Sequence, residues 1–360
     1  MNKLSMPKIE LHGLELHELR ELVTRLGEPG YRATQLFHWI HAHQAGEWER
    51  MTNLPREFKE KLKEVGCLPQ LSCQRRWQDP VDGTTKLLLN LRDGEKIECV
   101  LMKYGKGSEV WRYTACVSSQ VGCALGCAFC ATGKSGFRRN LTAGEIVEQV
   151  WVLQRHLGPR EGERRIGNIV FMGMGEPLLN YEAVLKARRI LMDPHGWGIS
   201  HRRITLSTCG LVPEIKRLAE EEPPVELAVS LHATTDETRD KLVPINRRYP
   251  LKELLKACRY YAQKTNRRIT FEYILIKGIN DTLQDADRLA GMVKGILAYI
   301  NLWPFNPIPG SSWEPPPRKQ VQDFALRLKQ RGIEVAVRQS RGSRIAAACG
   351  QLRYYPAEEV

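Results

Sequence analysis

Three cysteines stand close together in the run Cys123-Ala-Leu-Gly-Cys127-Ala-Phe-Cys130. The spacing, three residues and then two, supplies three thiolates to one site. Three is the informative count. A four-iron, four-sulfur cluster has four irons, and thiolates usually hold all of them. Three thiolates leave one iron free to bind something else. A structural zinc site competes for the same residues, but zinc favours repeated Cys-x2-Cys pairs and four ligands. No second pair of that spacing follows, and no histidine lies close behind. Buried core cysteines, the other plain reading, need no fixed spacing.

Further along, Met172-Gly-Met-Gly175-Glu176-Pro177 places an acid after two glycines. Glycine lets backbone approach a ligand closely, and a carboxylate at Glu176 can accept hydrogen bonds from a bound ammonium group. Alone, the segment is a turn with an exposed acid. Three more segments end in polar groups: Leu206-Ser207-Thr-Cys-Gly210, Val229-Ser230-Leu231-His232-Ala233 and Pro304-Phe-Asn306-Pro307. Taken singly, each is a turn residue or a satisfied polar group. Two cysteines stand apart from the triplet. Cys116 lies in Ala115-Cys-Val-Ser-Ser-Gln-Val-Gly122, and Cys349 in Arg341-Gly-Ser-Arg-Ile-Ala-Ala-Ala-Cys-Gly350. A lone cysteine is ordinarily a small buried hydrophobe. Cys67, Cys73, Cys99, Cys209 and Cys258 carry no motif and read as core packing.

The elements that must position these groups are legible in the periodicity. Leu19, Leu22, Val23 and Leu26 fall on one helical face, and Ala33, Leu36, Phe37 and Ile40 repeat the pattern. Leu54, Phe58 and Leu62 predict a third helix. Residues 1–75 thus read as a small basic helical domain, suited to RNA or merely solvated. Residues 76–108 read as a β-hairpin and linker: runs 86–91 and 96–102 flank Asp93-Gly94, a strong turn signal, and Glu98 sits on the second run. From residue 109 to 345, strands alternate with helices. Strands are predicted at 112–117, 169–172, 204–207, 227–231, 269–275 and 299–302, and helices at 251–264, 283–296 and 317–331. Thr142 and Glu145 predict a capping box. Six such units make an α/β fold, an incomplete (β/α)6 parallel barrel in which ligands bind at the C-terminal strand ends. Each polar motif above falls at such an end. Residues 346–360 form a tail that carries Cys349.

Composition narrows the class. No apolar run in the 360 residues is long enough to cross a bilayer, and the first residues lack a secretory apolar core. A cytoplasmic protein is expected, in which ten cysteines are reduced thiols and not a disulfide framework. The net charge of +13 favours a polyanionic partner, although a basic soluble enzyme has the same balance. His201, Arg202, Arg203, Arg338, Arg341 and Arg344 are phosphate contacts or solvated surface.

Phe129, just before the third cysteine, completes a pattern that resembles the signature of the radical S-adenosylmethionine (radical SAM) superfamily, whose open iron chelates SAM. The Met172–Pro177 run resembles that superfamily's Gly-Gly-Glu-Pro element. With Cys116 and Cys349 in their contexts, nearly the whole chain resembles the RlmN/Cfr family of radical SAM adenine methyltransferases. Gln120-Val121-Gly122 looks more like the C2-methylating RlmN branch than the C8-methylating Cfr branch.

The resemblance implies one [4Fe-4S] cluster on Cys123, Cys127 and Cys130, and two SAM molecules per turnover. It implies SAM contacts from Gly175, Glu176, Ser207, Ser230, Leu231, His232 and Asn306. Cys349 becomes the S-methylcysteine intermediate, Cys116 resolves the adduct through a transient disulfide with Cys349, and Glu98 accepts the proton, with Cys116 as the competing base. The chemistry explains the need: adenine C2 is electron-poor and no nucleophile, so a thiolate takes the methyl first. The implied substrates are an adenine of the peptidyl-transferase centre of 23S rRNA and the adenine 3′ of the anticodon in tRNAs, presented unstacked. A flavodoxin or ferredoxin as electron donor and a monomeric state are expected. The rivals are the C8 enzyme, a non-catalytic zinc RNA-binding protein, and a radical SAM enzyme of a small molecule. The last has no need of both Cys116 and Cys349.

Overall fold

The structure is a computed structural model that describes residues 8–106, 109–158 and 165–353. The N-terminal periodicity forms α1 (Leu16–Arg25), α2 (Tyr31–His41) and α3 (Arg56–Val65). A short parallel pair, β1 (Ile9–Glu10) with β2 (Gly66–Cys67), ties the two ends of the unit together. Its apolar faces close on the barrel helices. A Cβ on Gly13 would lie 2.8 Å from the Gly144 nitrogen, and one on Gly196 would lie 2.7 Å from His41 and 2.8 Å from Phe37. Lys186 to Glu18 (2.7 Å) and Arg189 to Glu15 (2.9 Å) rim the contact.

The chain leaves helix at Val65. Where the sequence predicts helix to about residue 75, Ser72–Gln78 is instead β3. Its sequence, Ser-Cys-Gln-Arg-Arg-Trp-Gln, shows no apolar alternation. As an edge strand it pairs on one side only and buries neither face, so the usual signal is missing. β4 (Thr85–Asn90) and β5 (Lys96–Lys106) form the predicted hairpin around Asp93-Gly94, with Gly94 at φ 85°. β5 pairs antiparallel with β6 (Glu109–Cys116), so the hairpin continues the sheet of the barrel.

A small antiparallel pair follows, β7 (Gln120–Gly122) with β8 (Phe137–Asn140), enclosing α4 (Ala131–Lys134). The parallel strands β9 (Ile166–Phe171), β10 (Ile204–Thr208), β11 (Glu226–Ser230), β12 (Ile269–Leu275) and β13 (Ala298–Pro304) then lie in sequence order beside β6. β14 (Val335–Val337) adds a further parallel strand that the sequence does not announce; three residues are too few to display a period. Between them run α5 (Ala143–Leu157), α6 (Tyr181–Met192), α7 (Val212–Leu218), α8 (Asp236–Leu242), α9 (Leu251–Thr265), α10 (Leu283–Val293) and α11 (Arg318–Gln330). The Thr142–Glu145 box caps α5 as predicted. Side chains from β5 round to β14 line one cavity, so the ten-stranded sheet curls into an incomplete barrel. No helix among the described residues is long and apolar enough to cross a membrane. The tail beyond Arg353 and the first seven residues lie outside the described residues.

Candidate active site

Alternate residues of a strand face the same side, and here the inward faces stack in layers. Towards the C-terminal ends lie Ser207, Ser230, Ile274 and Trp303, which line a cavity of about 140 Å³. Two residues earlier lie Thr205, Ala228, Glu272 and Asn301, which line a second cavity of about 420 Å³ deeper in the barrel. Met172, Glu272, Trp303, Leu352 and Cys349 line both. Cys349 therefore stands in the wall between them.

The upper cavity takes the cysteine triplet. β7 and β8 clamp the start of its loop. Gly122 sits at φ 75°, where an added Cβ would fall 1.9 Å from the Gly136 oxygen, so no other residue fits. The Cys123 N–H donates to that oxygen at 2.8 Å. At its other end the loop holds the tail: the Ala131 N–H donates to the Gly350 oxygen (2.7 Å), and the Thr132 hydroxyl to the Leu352 oxygen. Asn306 Nδ2 donates to the Cys349 oxygen at 3.2 Å. Cys123, Cys127 and Cys130 all line the cavity. Burial holds the Cys123 and Cys130 thiols above the usual thiol range.

Gly175, Glu176, Ser207, Ser230 and His232 line the same cavity. The Glu176 carboxylate is buried and accepts from the N–H groups of Cys209 (2.8 Å) and Leu178 (3.1 Å). Burial pushes its pKa up to about 7 against those bonds. His232 is held at φ 60°, a costly conformation for a non-glycine residue. Two bonds over-determine it: Ile274 N–H donates to Nδ1 at 3.1 Å, and Asn280 Nδ2 to the His232 oxygen at 2.8 Å. Burial, with Arg239 nearby, pushes the imidazole down to about 3, so it is neutral with its proton on Nε2. Phe129 of the cysteine motif meets its ring edge-on at 4.6 Å. Leu231 is buried behind the wall, and Asn306 acts on the tail; neither lines the cavity.

Cys116 ends β6 and lines the lower cavity. Its thiol is pushed above the usual range by burial and then by the charge of Cys349. Burial, then Glu272, pushes Cys349 up to about 12. Glu98 lies on the inward face of β5, two residues before Val100, the partner of Cys116. It opens into neither cavity. Its carboxylate is fully buried, 2.9 Å from Lys86 Nζ, and accepts the Arg353 N–H at 3.0 Å. Burial raises its pKa, and Lys86 opposes the rise.

Two family models match the chain: the radical SAM superfamily over residues 117–290, and the ribosomal RNA large subunit methyltransferase N-terminal domain over residues 9–68. A probable dual-specificity RNA methyltransferase RlmN of Moorella thermoacetica is 56% identical, covering 98% of this chain and 99% of its own. A dual-specificity RNA methyltransferase RlmN of Syntrophobacter fumaroxidans is 50% identical over 94% and 96%. The chain belongs to the RlmN family of radical SAM methyltransferases. A crystal structure of a radical SAM methyltransferase from Sphaerobacter thermophilus superimposes with a TM-score of 0.91 at 48% identity, covering 96% of this chain and 99% of that one.

Membership of the RlmN family brings a [4Fe-4S] cluster and SAM as cofactors. The residues fit both. Three thiols line the upper cavity together with Glu176, two serines and a neutral histidine. Among the described residues no group of three or more His, Cys, Asp or Glu converges to hold a single metal ion. Thiolates that bind different irons have no need to do so. Cys209, read from sequence as core packing, stands at this cavity with its sulfur 3.7 Å from that of Cys127; nothing in its local sequence marks it. Glu272 also escaped the sequence reading. Its signal is an acid inside the otherwise apolar strand Ile269-Thr-Phe-Glu-Tyr-Ile-Leu275, where ionised residues are rarely buried without a partner. Lys86, 2% exposed, opens a strand in the same way.

Proposed function

We propose that this chain methylates C2 of an adenine in 23S rRNA and of the adenine 3′ of the anticodon in tRNA. The observation that carries the reading is the place of Cys349, in the wall between the cavity of the cluster thiols and the cavity of Cys116. A methyl carrier must be reached from a SAM side and from a base side, and only this thiol of the ten lines both. The match of residues 9–68 to a ribosomal RNA methyltransferase domain and the net charge of +13 support an RNA substrate. A flavodoxin- or ferredoxin-type electron donor, a monomeric state and a cytoplasmic setting belong to the same proposal.

The cluster and SAM, bound at the upper cavity, supply the methyl group and the means of removing a hydrogen atom from it. Cys349 accepts the methyl on its sulfur; because burial and Glu272 disfavour the thiolate, its proton leaves as the methyl arrives. The carbon on Cys349 then bonds to C2 and tethers the RNA. Cys116 attacks the Cys349 sulfur, a disulfide forms, and the bond from that sulfur to carbon breaks; the freed carbon takes up the proton given up by Cys116 and becomes the methyl of the released base, and the one odd electron of the hydrogen-atom step returns to the electron-donor side. Glu98 takes the C2 proton. The Arg353 N–H and Lys86 occupy its oxygens, so the Arg353 bond must open before that oxygen of Glu98 can take a proton.

Two measurements test this. Cys116→Ala loads the methyl, adds to adenine and stalls, so a protein–RNA species accumulates on denaturing gels; Cys349→Ala gives none. Normal turnover by Cys116→Ala, or trapping by Cys349→Ala, would sink the assignment. Mass analysis of nucleosides from the product RNA distinguishes 2-methyladenosine from the 8-methyl isomer.

A further inference from the structure

The lower cavity carries polar groups that the cluster, SAM and the two thiols leave unused. Asn301 is buried and donates its amide Nδ2–H to Glu272 at 2.8 Å. An ionised carboxylate only accepts, so the amide nitrogen must face Glu272 and the amide oxygen must face away from it. That oxygen, Asn301 Oδ1, is buried and has no hydrogen-bond partner among the described residues. A buried acceptor left without a donor costs free energy until a ligand supplies one. Glu272 also accepts from the Trp303 Nε1–H, and its oxygens keep lone pairs to spare. Asn301 and Glu272, two neighbouring residues with acceptor capacity to spare, line a cavity that Cys116 and Cys349 also line.

We infer that the lower cavity holds the target base, and that Asn301 and Glu272 read the 6-amino group of adenine. The inference rests on the proposal that Cys349 acts on an adenine, and it names the residues that select one. The amino group is a donor on the same edge as N1, next to C2. Set against two acceptors, it satisfies both Asn301 Oδ1 and Glu272 while C2 remains free to face Cys349. Guanine and hypoxanthine carry a carbonyl there, an acceptor against acceptors. Hypoxanthine is the informative comparison, because its C2 bears a hydrogen just as adenine does. Arg338 and the solvent-exposed Arg112 border the same cavity and offer cations to the flanking phosphates.

The test uses anticodon stem-loop RNAs with adenosine, inosine or purine riboside at the target position. Wild-type protein is expected to prefer adenosine to either analogue by at least about tenfold, the scale of one unmatched buried hydrogen bond. Asn301→Ser and Glu272→Gln should bring those ratios towards one. Glu272→Gln should gain inosine relative to adenosine, because its amide can donate to the 6-oxygen. SAM-dependent methylation of Cys349, read from the mass of the intact protein, shows in each variant that the fold and the SAM side are in order. Unchanged adenosine-to-inosine and adenosine-to-purine ratios in both variants overturn the inference. So does loss of Cys349 methylation in Glu272→Gln with unchanged ratios in Asn301→Ser, which would place Glu272 on the SAM side alone. Failure of the underlying proposal looks different: the wild-type protein would then leave all three RNAs unmodified, and the pocket assignment falls with it.

Discussion

Replacing Lys86 by methionine keeps the length of the side chain and removes one charge from a buried pair. Lys86 is 2% exposed and Glu98 fully buried, with 2.9 Å between ammonium and carboxylate. Lys86 Nζ also reaches the Ala346 oxygen at 3.2 Å and lies 4.7 Å from the Trp77 ring centre. Breaking such a pair from one side leaves a buried charge uncompensated, at a cost of about 3–5 kcal/mol. Glu98 can relieve part of that cost by taking up a proton. Burial already raises its pKa and Lys86 is the main opposing influence, so in Lys86→Met the folded-state value lies higher still. A raised folded-state value favours the fold below the ordinary carboxylate range, and the benefit is lost as pH rises through the raised value. The denaturation midpoint should therefore fall more at about pH 8.5 than at about pH 5, measured by urea titration under anaerobic conditions. The double variant Lys86→Met/Glu98→Gln should recover most of the loss, because neither charge then remains. Methylation of RNA should also require higher pH in Lys86→Met, since a protonated Glu98 cannot accept the C2 proton. An equal loss at both pH values, with no recovery in the double variant, would refute the view of Lys86 as the counter-ion that keeps Glu98 ready.

Changing Cys123, Cys127 and Cys130 together to alanine should abolish iron and labile sulfide in the reconstituted protein; a full complement of iron in that variant would contradict the ligand set. SAM should bind more weakly as pH falls through about 7, where Glu176 becomes protonated, and Glu176→Gln should flatten that dependence in equilibrium binding. Charge reversal of the exposed Arg20, Arg25 and Arg56 should weaken RNA binding and lower its salt dependence by roughly one unit of slope per lost phosphate contact. Reversal is a cleaner test than deleting residues 1–75, because these helices cover the faces of α5 and α6 near Gly144 and Gly196.

Legibility in the sequence followed the strength of local pattern. β12 lies where its apolar run predicts, at residues 269–275, and α9, α10 and α11 fall within a few residues of their expected ends. β3 and β14 were not legible, the first because an edge strand buries no face, the second because it is three residues long. The triplet, Glu176 and the serines stand at strand ends as the parallel barrel requires. What pattern cannot encode is proximity between distant segments. Nothing near Lys86 announces that it meets Glu98 and the Ala346 oxygen. Nothing near Cys209 announces Cys127.

Cys349 stands in the wall between the two cavities on a tail segment outside the strands of the sheet. The segment that carries it is held by separate hydrogen bonds: from Ala131 to Gly350, Thr132 to Leu352, Asn306 to Cys349, Gln351 to Pro307 and Arg353 to Glu98. Each contributes about 1 kcal/mol net, and none belongs to the ladder of the sheet. Burial of Ala348 and Leu352 packs the same segment against the core. One bond in the set caps the carboxylate assigned the C2 proton, and Lys86 joins that carboxylate to the tail at Ala346.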